Sequence, residues 1–169
     1  MNVYKMNKRA TIPEYATEGS ACFDVAACIE HKQRLVGYNT WNKKLDIVVK
    51  GVGQKPDAFQ LPPEMRVLVP TGLIFDVPKG HVMKMYIRSG TALKKGLAMA
   101  NGVGIIDSDY VEESFIMLTN FSDSLITIEH GERLAQCLIE PTTNIELNET
   151  TERPEQKTER DGGFGSTGE

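Results

Sequence analysis

Short apolar runs separated by turn-forming residues dominate the chain from residue 67 onward. Val67–Val69 is closed by Pro70, and Leu73–Phe75 is followed by the turn sequence Asp-Val-Pro-Lys-Gly. Further apolar runs cover 82–87, 114–118, 125–128 and 134–139. Short strands at regular spacing, with Pro, Gly and Asp between them, are typical of β-sandwiches and β-barrels. The pattern therefore predicts an all-β fold with one short helix, over 91–95.

Two segments do not follow this pattern. Residues 31–60 contain the only tryptophan, Trp41, and an alternating run, Leu-Asp-Ile-Val-Val, over 45–49. We interpret this segment as a hairpin, and as a surface elaboration in preference to a partner-binding site. From Thr142 to Arg160 the chain is charged and poor in apolar residues, which is typical of a linker. The sequence thus predicts a β domain over 1–141 and a linker with a terminal arm over 142–169.

The composition is that of an ordinary globular domain, with 40% hydrophobic and 25% charged residues. A formal net charge of -4 argues against a polynucleotide partner, so any positive charge that binds an anionic substrate must be local. Cys22, Cys28 and Cys137 lack metal-site spacing and are interpreted as free thiols in a reducing compartment. With no apolar run that resembles a signal peptide or a membrane span, we expect a cytoplasmic protein, in the host cytoplasm if the chain is viral.

The last residues of the chain carry the strongest indication of chemistry. Residues 160–168 read Arg-Asp-Gly-Gly-Phe-Gly-Ser-Thr-Gly, a composition that cannot build a core at a chain end. Glycines let backbone N–H groups approach a phosphate closely. Arg160 can pair with phosphate oxygens, and Phe164 offers a flat face to a base. A flexible tail is the ordinary interpretation of such a segment, but its chemistry fits a lid over a nucleotide.

Four upstream segments contain residue types that a nucleoside triphosphate site uses. In chain order they are Gly-Ser-Ala-Cys-Phe-Asp over 19–24, Arg-Ser-Gly-Thr-Ala-Leu-Lys over 88–94, Asn-Gly-Val-Gly-Ile-Ile-Asp-Ser-Asp-Tyr over 101–110, and Gly-Glu-Arg-Leu-Ala-Gln over 131–136. Together with the terminal segment they closely resemble the five motifs of the homotrimeric dUTP pyrophosphatases (dUTPases). The resemblance implies a jelly-roll-like β fold, a distorted barrel or sandwich, with a flexible C-terminal arm that reaches a neighbouring subunit.

The resemblance also implies an activity, the hydrolysis of dUTP to dUMP and pyrophosphate. Asp107 corresponds to the family aspartate that activates the attacking water, a role that needs a positioned base. Tyr110 corresponds to the tyrosine that packs beneath the deoxyribose and leaves no space for a 2′-hydroxyl. Asn101 corresponds to the asparagine of the uracil hairpin, whose amide presents a donor and an acceptor to the base edge. The same comparison assigns substrate contacts to Gly104, Ile105 and Ile106.

The remaining motifs correspond to family residues that bind the triphosphate. In the upstream motifs these are Arg88, Ser89, Gly90 and Gln136, and in the terminal arm they are Arg160, Phe164, Gly165, Ser166 and Thr167. In the family, the arm residues hold the γ-phosphate and stack an aromatic ring on uracil. Asp24 corresponds to an aspartate that holds Mg²⁺ mainly through water, as expected for an ion that keeps its hydration shell. We therefore expect Mg²⁺ as cofactor and a homotrimer that shares its active sites between subunits.

The chain departs from the family pattern in several places. Phe23 precedes the first-motif aspartate where tyrosine or leucine is usual, and Val111 and Glu112 follow Tyr110 where the family has arginine or glutamine and then glycine. The arm has four positions from arginine to phenylalanine, where the family has five. The connection from the first motif to residue 71 is longer than usual, which identifies the predicted hairpin within 31–60 as an insertion.

Two alternatives remain open at this stage. A dCTP deaminase shares the fold and the Arg-Ser motif, but it has a glutamate on the strand after the tyrosine turn, where this chain reads Ser-Phe-Ile-Met-Leu over 114–118. A regulatory trimer that binds dUTP and a protein partner would use residues 31–60 as its contact surface. Retention of the residues matched to catalysis favours the enzyme.

Overall fold

The structure is a computed structural model that describes residues 1–159 and Gly162. Its strands are β1 Asn2–Lys5, β2 Phe23–Ala26, β3 Arg34–Tyr38, β4 Lys44–Val48, β5 Ala58–Leu61, β6 Arg66–Pro70, β7 Leu73–Asp76, β8 His81–Ile87, β9 Leu97–Met99, β10 Gly104–Ile106, β11 Phe115–Asn120, β12 Ile126–Glu129 and β13 Arg133–Pro141. A single helix among the described residues, α1, covers Ser89–Lys95. The predicted all-β class with one short helix is confirmed.

Two sheets of four and five strands form the body of the molecule. Their strand orders are β10-β8-β13-β2 and β4-β3-β6-β11-β9, and two-stranded sheets β1-β7 and β12-β5 lie beside them. All these pairings are antiparallel. Short antiparallel strands alternate buried and exposed side chains, which matches the alternation in the sequence.

One apolar core joins the two main sheets. Val25, Met83 and Met85 of the four-stranded sheet and Ile116 and Leu118 of the five-stranded sheet are fully buried within it. Each such side chain contributes about 1.5–3 kcal/mol by leaving water, whereas an exposed ion pair contributes about 0–1 kcal/mol. Apolar burial therefore holds the sheets together, and polar contacts adjust the loops between them.

The β3–β4 hairpin lies within residues 31–60 and is continuous with the five-stranded sheet. Its register runs from Arg34 opposite Val48 to Tyr38 opposite Lys44, and β3 also pairs with β6. Leu35 on β3 is buried in the core, whereas the tip of the hairpin is exposed. The hairpin is thus anchored by its base and projects its tip into solvent.

Helix α1 begins two residues before the predicted start, immediately after the end of β8. Arg88 has an extended backbone (φ -73°, ψ 142°) and precedes the first helical residue without a side-chain cap. Gly96 ends the helix in the left-handed region at φ 64°, and its N–H donates to the Ala92 carbonyl over 3.1 Å. No helix in the described part of the chain is long and apolar enough to cross a bilayer.

A polar cluster ties the N-terminal loop to the base of β5. Arg9 Nη2 lies 2.6 Å from Asp57 Oδ2, and the other carboxylate oxygen accepts the His31 N–H over 2.7 Å. His130 Nδ1 accepts the Ile29 N–H over 3.3 Å. The guanidinium of Arg9 lowers the pKa of Asp57, while burial and the same guanidinium lower the pKa of His130.

The lowered pKa of His130 predicts a loss of stability in mild acid. The folded state keeps this imidazole neutral where the unfolded chain, with an ordinary value of 6.5, binds a proton. Stability is therefore fully present above about pH 6.5 and falls as the pH drops through the lowered pKa. We expect a loss of about 1 kcal/mol, the contribution of one hydrogen bond, measured by denaturant unfolding between pH 7.5 and 5.5.

His130→Asn is the matched control for this prediction, because its amide oxygen can accept the same N–H but does not titrate. The variant should show a flatter dependence of unfolding free energy on pH over this range. Equal pH dependence in the two proteins would show that His130 is not the responsible group.

Candidate functional site

The turn that follows β9 carries the chain from one main sheet to the other. β9 pairs with β11 and β10 pairs with β8, so in the described structure the two strands beside this turn do not pair with each other. Gly102 adopts φ 73°, and its N–H donates to the Met99 carbonyl over 3.0 Å. The turn leaves Asn101 exposed at the rim of the gap between the sheets.

A cleft of about 340 Å³ opens beside this turn. It is lined by Leu68, Asn101, Gly104, Ile105, Ile106, Asp107, Tyr110, Ser114, Phe115 and Met117. The structure therefore brings together every residue of the third motif that the sequence assigned to the base, the sugar and the attacking water. Most of the lining is apolar, with a few polar groups at the rim, which is the usual character of a small-molecule site.

The loop that carries Tyr110 is fastened to the turn between β6 and β7. The Tyr110 N–H donates to the Asp107 carbonyl over 3.2 Å, and its hydroxyl donates to the Glu113 carbonyl over 2.9 Å. The Glu113 carboxylate in turn accepts the Gly72 N–H over 2.7 Å. Nothing in the local sequence indicates this role of Glu113, whose carboxylate connects the loop to Gly72 in the structure.

Gly72 is required at this junction for two reasons. Its φ is 68°, a conformation that L side chains rarely adopt. A Cβ at this position would also lie 2.9 Å from Ala10 Cβ and 2.9 Å from Cys28 Sγ. The sequence Pro-Thr-Gly-Leu over 70–73 thus fixes the turn against which the Tyr110 loop is packed.

A second group of assigned residues lies on β2, β13 and the end of β8. Arg88 Nε donates to Asp24 Oδ1 over 2.9 Å, and Arg133 Nη1 lies 3.1 Å from Asp24 Oδ2. Arg88 Nη1 also donates to the Arg133 carbonyl over 3.1 Å. Gln136 lies opposite both Asp24 and Tyr86 in the sheet register. Arg88, Asp24 and Gln136 of this cluster were singled out from the sequence, whereas no local pattern indicates the role of Arg133.

The cluster concentrates positive charge in a chain of net charge -4. Two guanidinium groups share the one Asp24 carboxylate, whose side chain is 20% exposed, which leaves one unit of positive charge. Ser89 and Gly90 are exposed in the first turn of α1, where backbone N–H groups lack acceptors within the helix and no side chain caps them. These groups can bind an anion together.

The residues of this cluster can hold Mg²⁺ only through water molecules of its hydration shell. No group of three or more potential metal-ligating side chains occurs within residues 1–159 and Gly162. Asp24 Oδ1 accepts one guanidinium N–H of Arg88, Asp24 Oδ2 forms an ion pair with Arg133, and lone pairs remain on the carboxylate. Asp24 can therefore accept hydrogen bonds from the hydration shell of Mg²⁺, the mode that this strongly hydrated ion favours.

The two groups of residues occupy different places in one chain. Ile106, next to Asp107, lies opposite Met83, whereas Arg88 follows the last residue of β8. Met83 and Arg88 are five residue steps apart along extended chain, a distance of about 16 Å. The assigned residues of the arm, Arg160, Phe164, Gly165, Ser166 and Thr167, lie outside the described residues.

The chain is similar to known proteins in sequence and in fold. A family model described as dUTPase matches residues 54–168. A deoxyuridine 5'-triphosphate nucleotidohydrolase of Hydrogenobaculum sp. is 37% identical over 166 residues, 98% of this chain and 96% of the relative. The relative of the same name in Rhizobium etli is 36% identical over 157 residues, 93% of this chain and 85% of the relative.

Solved structures agree with this likeness at the level of the fold. The dUTPase of Streptococcus mutans superposes with a TM-score of 0.65 at 23% identity, covering 86% of this chain and 99% of that one. A variant of the Staphylococcus bacteriophage 80alpha dUTPase, determined with dUpNHpp, has a TM-score of 0.73 at 21% identity, covering 99% of this chain and 97% of that one.

The Arg88–Asp24–Arg133 cluster predicts a stability effect that is independent of any ligand. Asp24→Asn keeps the side-chain size but leaves two guanidinium groups close together without a carboxylate. We expect the free energy of unfolding to fall by about 1–3 kcal/mol, because the carboxylate is largely buried. Denaturant unfolding of the variant and the parent at low and high salt measures the loss.

Asp46→Asn provides the matched control, because it removes the exposed ion pair with Arg34 on the β3–β4 hairpin. That change should cost about 0–1 kcal/mol. If the free energy of unfolding falls by the same small amount in both variants, the cluster has no special stabilising role.

Proposed function

The chain belongs to the dUTPase family, and we propose that it hydrolyses dUTP to dUMP and pyrophosphate at active sites shared between subunits. The observation that carries this proposal is the cleft in which Asn101, Asp107 and Tyr110 converge. One carboxylate, one amide and one aromatic ring surround an apolar space there. This set can orient a base, exclude a ribose hydroxyl and activate water.

Base recognition rests on Asn101 and on the backbone of its turn. The Asn101 amide offers a donor and an acceptor to uracil, and cytosine reverses the donor and acceptor at its exocyclic position. Gly104 keeps the backbone close to the sheet, since an added Cβ would lie 3.1 Å from Met85 Cβ. Ile105 and Ile106 continue the same strand, the former exposed at the cleft and the latter buried beneath it.

Sugar selection rests on Tyr110, whose ring is held by the hydrogen bond from its hydroxyl to the Glu113 carbonyl. A fixed ring cannot move aside for an additional hydroxyl. A ribonucleotide would then bury its 2′-hydroxyl without space or a partner, which is costly.

The chemical step is assigned to Asp107. Asp107 directly follows β10 and the buried Ile106, and it lines the cleft as an exposed residue. The carboxylate takes a proton from water as the water oxygen attacks the α-phosphorus. The bond from that phosphorus to the bridging oxygen breaks, and pyrophosphate leaves with the bond electrons.

The phosphates are assigned to Arg88, Ser89, Gly90 and Gln136. Asp24 and the Arg133 carbonyl hold the Arg88 guanidinium in one orientation, so binding an anion needs little rearrangement. Mg²⁺, when bound through water near Asp24, would supply further positive charge to the triphosphate. The arm residues Arg160, Phe164, Gly165, Ser166 and Thr167 are proposed to close over the γ-phosphate and the base.

The separation of about 16 Å along β8 supports sites that are shared between subunits. A base that activates water at the α-phosphate must lie close to the groups that bind that phosphate. The points at which Asp107 and Arg88 of one chain join the sheet are about 16 Å apart along β8, which is farther than this condition allows. A second copy that brings its Arg88 cluster to the cleft would complete the site, and we propose the homotrimer that the family implies.

The deaminase alternative is less well supported by the cleft. Asp107 is the one carboxylate among the residues that line it in the described structure, and the strand that follows the Tyr110 loop presents Phe115 and Met117. A glutamate on that strand would be needed to exchange protons during deamination.

The role of Asp107 is tested by Asp107→Asn, which keeps size and hydrogen bonding but cannot accept the proton of water. We expect kcat to fall by roughly 10²–10⁴, or about 3–5 kcal/mol of barrier. Binding of a non-hydrolysable dUTP analogue and the melting temperature should change little. Pyrophosphate release and thermal unfolding are measured on the same preparation.

Asp109→Asn is the matched control, since Asp109 is an exposed carboxylate in the same turn. Its turnover should remain within a few-fold of the parent, because surface changes away from the reacting atoms cost little. Near-parental turnover by the Asp107 variant would move the catalytic role to another residue.

The arm and the assembly are tested together by deletion of residues 160–169. The parent chain has a mass of 18.8 kDa, and light scattering should give three times the chain mass for both the parent and the truncated protein. We expect the truncated chain to assemble because the apolar core lies within the strands, which the deletion leaves intact. Turnover should collapse, since closure over the nucleotide is lost. Removal of Glu169 alone should leave turnover unchanged, and parental activity of the truncated chain, or an active monomer, would contradict the proposal.

A further inference from the structure

Charge is unevenly distributed along the chain, and the segment around the β3–β4 hairpin carries an excess of positive charge, of which the hairpin itself, residues 34–48, contributes +2. Residues 31–56 contain six lysine and arginine side chains and a single carboxylate, a net charge of +5. The whole chain has a net charge of -4, so the remaining residues carry -9. The expectation against a polynucleotide partner rested on the net charge of the whole chain, and it does not apply to residues 31–56.

Part of this positive charge is not neutralised within the fold. Arg34 pairs with Asp46, and Lys55 pairs with Glu129. By contrast, no carboxylate of the described residues lies within ion-pair distance of Lys43 or Lys44, which follow the hairpin tip. These two ammonium groups are exposed and remain available to an anionic partner.

The tip of the hairpin is held in one conformation by polar contacts. Asn39 Oδ1 accepts the N–H groups of Trp41 and Lys43 over 3.1 and 3.0 Å. Arg66 Nη2 donates to the Asn39 carbonyl over 3.0 Å and to Asn42 Oδ1 over 2.7 Å. Because these contacts already order the backbone of the tip, binding through one of its side chains costs little backbone conformational entropy.

The side chain presented in this way is an indole. Trp41 is 79% exposed, although burial of a tryptophan would contribute favourably to folding. Phe121, 74% exposed, borders a cleft of about 390 Å³ whose other lining residues include Asn42 and Arg66. The Arg66 guanidinium also lies 5.9 Å from the centre of the Tyr38 ring. Phe121 therefore lies beside the tip residues Thr40 and Asn42, and the exposed carboxylate of Glu64 lines the same cleft.

We propose that the tip of the β3–β4 hairpin, with Trp41, Lys43 and Lys44 and the cleft beside Phe121, binds single-stranded nucleic acid. Lysines can contact successive phosphates, and exposed rings can stack on unpaired bases without regard to sequence. An acidic protein segment would satisfy the lysines but would leave the flat faces of the rings without planar partners. The aromatic groups thus favour a nucleic acid.

The single tryptophan of the chain provides a local probe of this surface. The full-length protein is titrated with a 12-residue oligothymidylate while Mg²⁺ and a non-hydrolysable dUTP analogue saturate the active site, so that the titration does not report on dUTP binding. We expect the fluorescence of Trp41 to be quenched, with a Kd of about 1–100 µM at physiological salt. For variants that lack tryptophan, binding is measured by the fluorescence anisotropy of a labelled oligothymidylate.

Trp41→Ala should weaken binding about 5- to 150-fold, the equivalent of one stacked base. Lys43→Gln combined with Lys44→Gln should make the slope of log K against log salt shallower by about 1.4, because two phosphate contacts are lost. Lys8→Gln combined with Lys79→Gln removes two exposed lysines elsewhere and should leave both affinity and slope unchanged. Melting temperatures of all variants should match the parent.

Three results would overturn the proposal. The first is an absence of quenching up to millimolar oligothymidylate. The second is equal weakening by the two double-lysine variants, which would show that only overall charge matters. The third is quenching by a polyglutamate peptide without quenching by oligothymidylate, which would assign the surface to an acidic protein segment.

Discussion

The pairing of β13 with both β8 and β2 is the constraint on which the rest of the structure depends. This nine-residue strand lies inside the four-stranded sheet, and Leu134, Ala135 and Cys137 are fully buried along it. Its register places Gln136 beside Asp24 on one side and Tyr86 on the other. A slip of one residue would turn Gln136 into the core and Cys137 out of it, so apolar burial fixes the position of the polar groups.

The same pairing explains why the anion-binding cluster forms without a ligand. Arg88 leaves β8 next to β13, and its backbone N–H donates to the Leu134 carbonyl over 3.1 Å. The Arg133 carbonyl then accepts one guanidinium N–H of Arg88 while Asp24 accepts another. Two guanidinium groups would repel each other without that carboxylate, so the strand pairing brings the arginines together and Asp24 offsets their repulsion. An arginine held in this way can bind a phosphate with little loss of entropy.

The sequence predicted the longer strands and most of the residues that line the cleft, and there are physical reasons for what it missed. β8 and β13 are long enough for their apolar runs to be recognised. The shorter β6 was recognised because Pro70 closes its apolar run. β1, β5, β9 and β10 have three or four residues each and are stabilised by partners far away in the chain, which no local pattern records. Glu113 and Arg133 were missed for the same reason, because their roles depend on contacts with Gly72 and Asp24 that only the folded register creates.

The net charge of the whole chain describes this molecule poorly, because the fold groups its positive charges in a few places. The Arg88–Asp24–Arg133 cluster retains one positive unit because two strands and a helix start converge on a single carboxylate. The hairpin retains Lys43 and Lys44 because its tip projects away from the acidic remainder of the chain. A nucleoside triphosphate and a nucleic acid strand are both anionic, yet they differ in what else they require. The first needs an enclosed cleft with a base-reading amide, whereas the second needs open aromatic faces. The cleft at Asn101 and the hairpin tip at Trp41 present these two sets of groups from different segments of the chain.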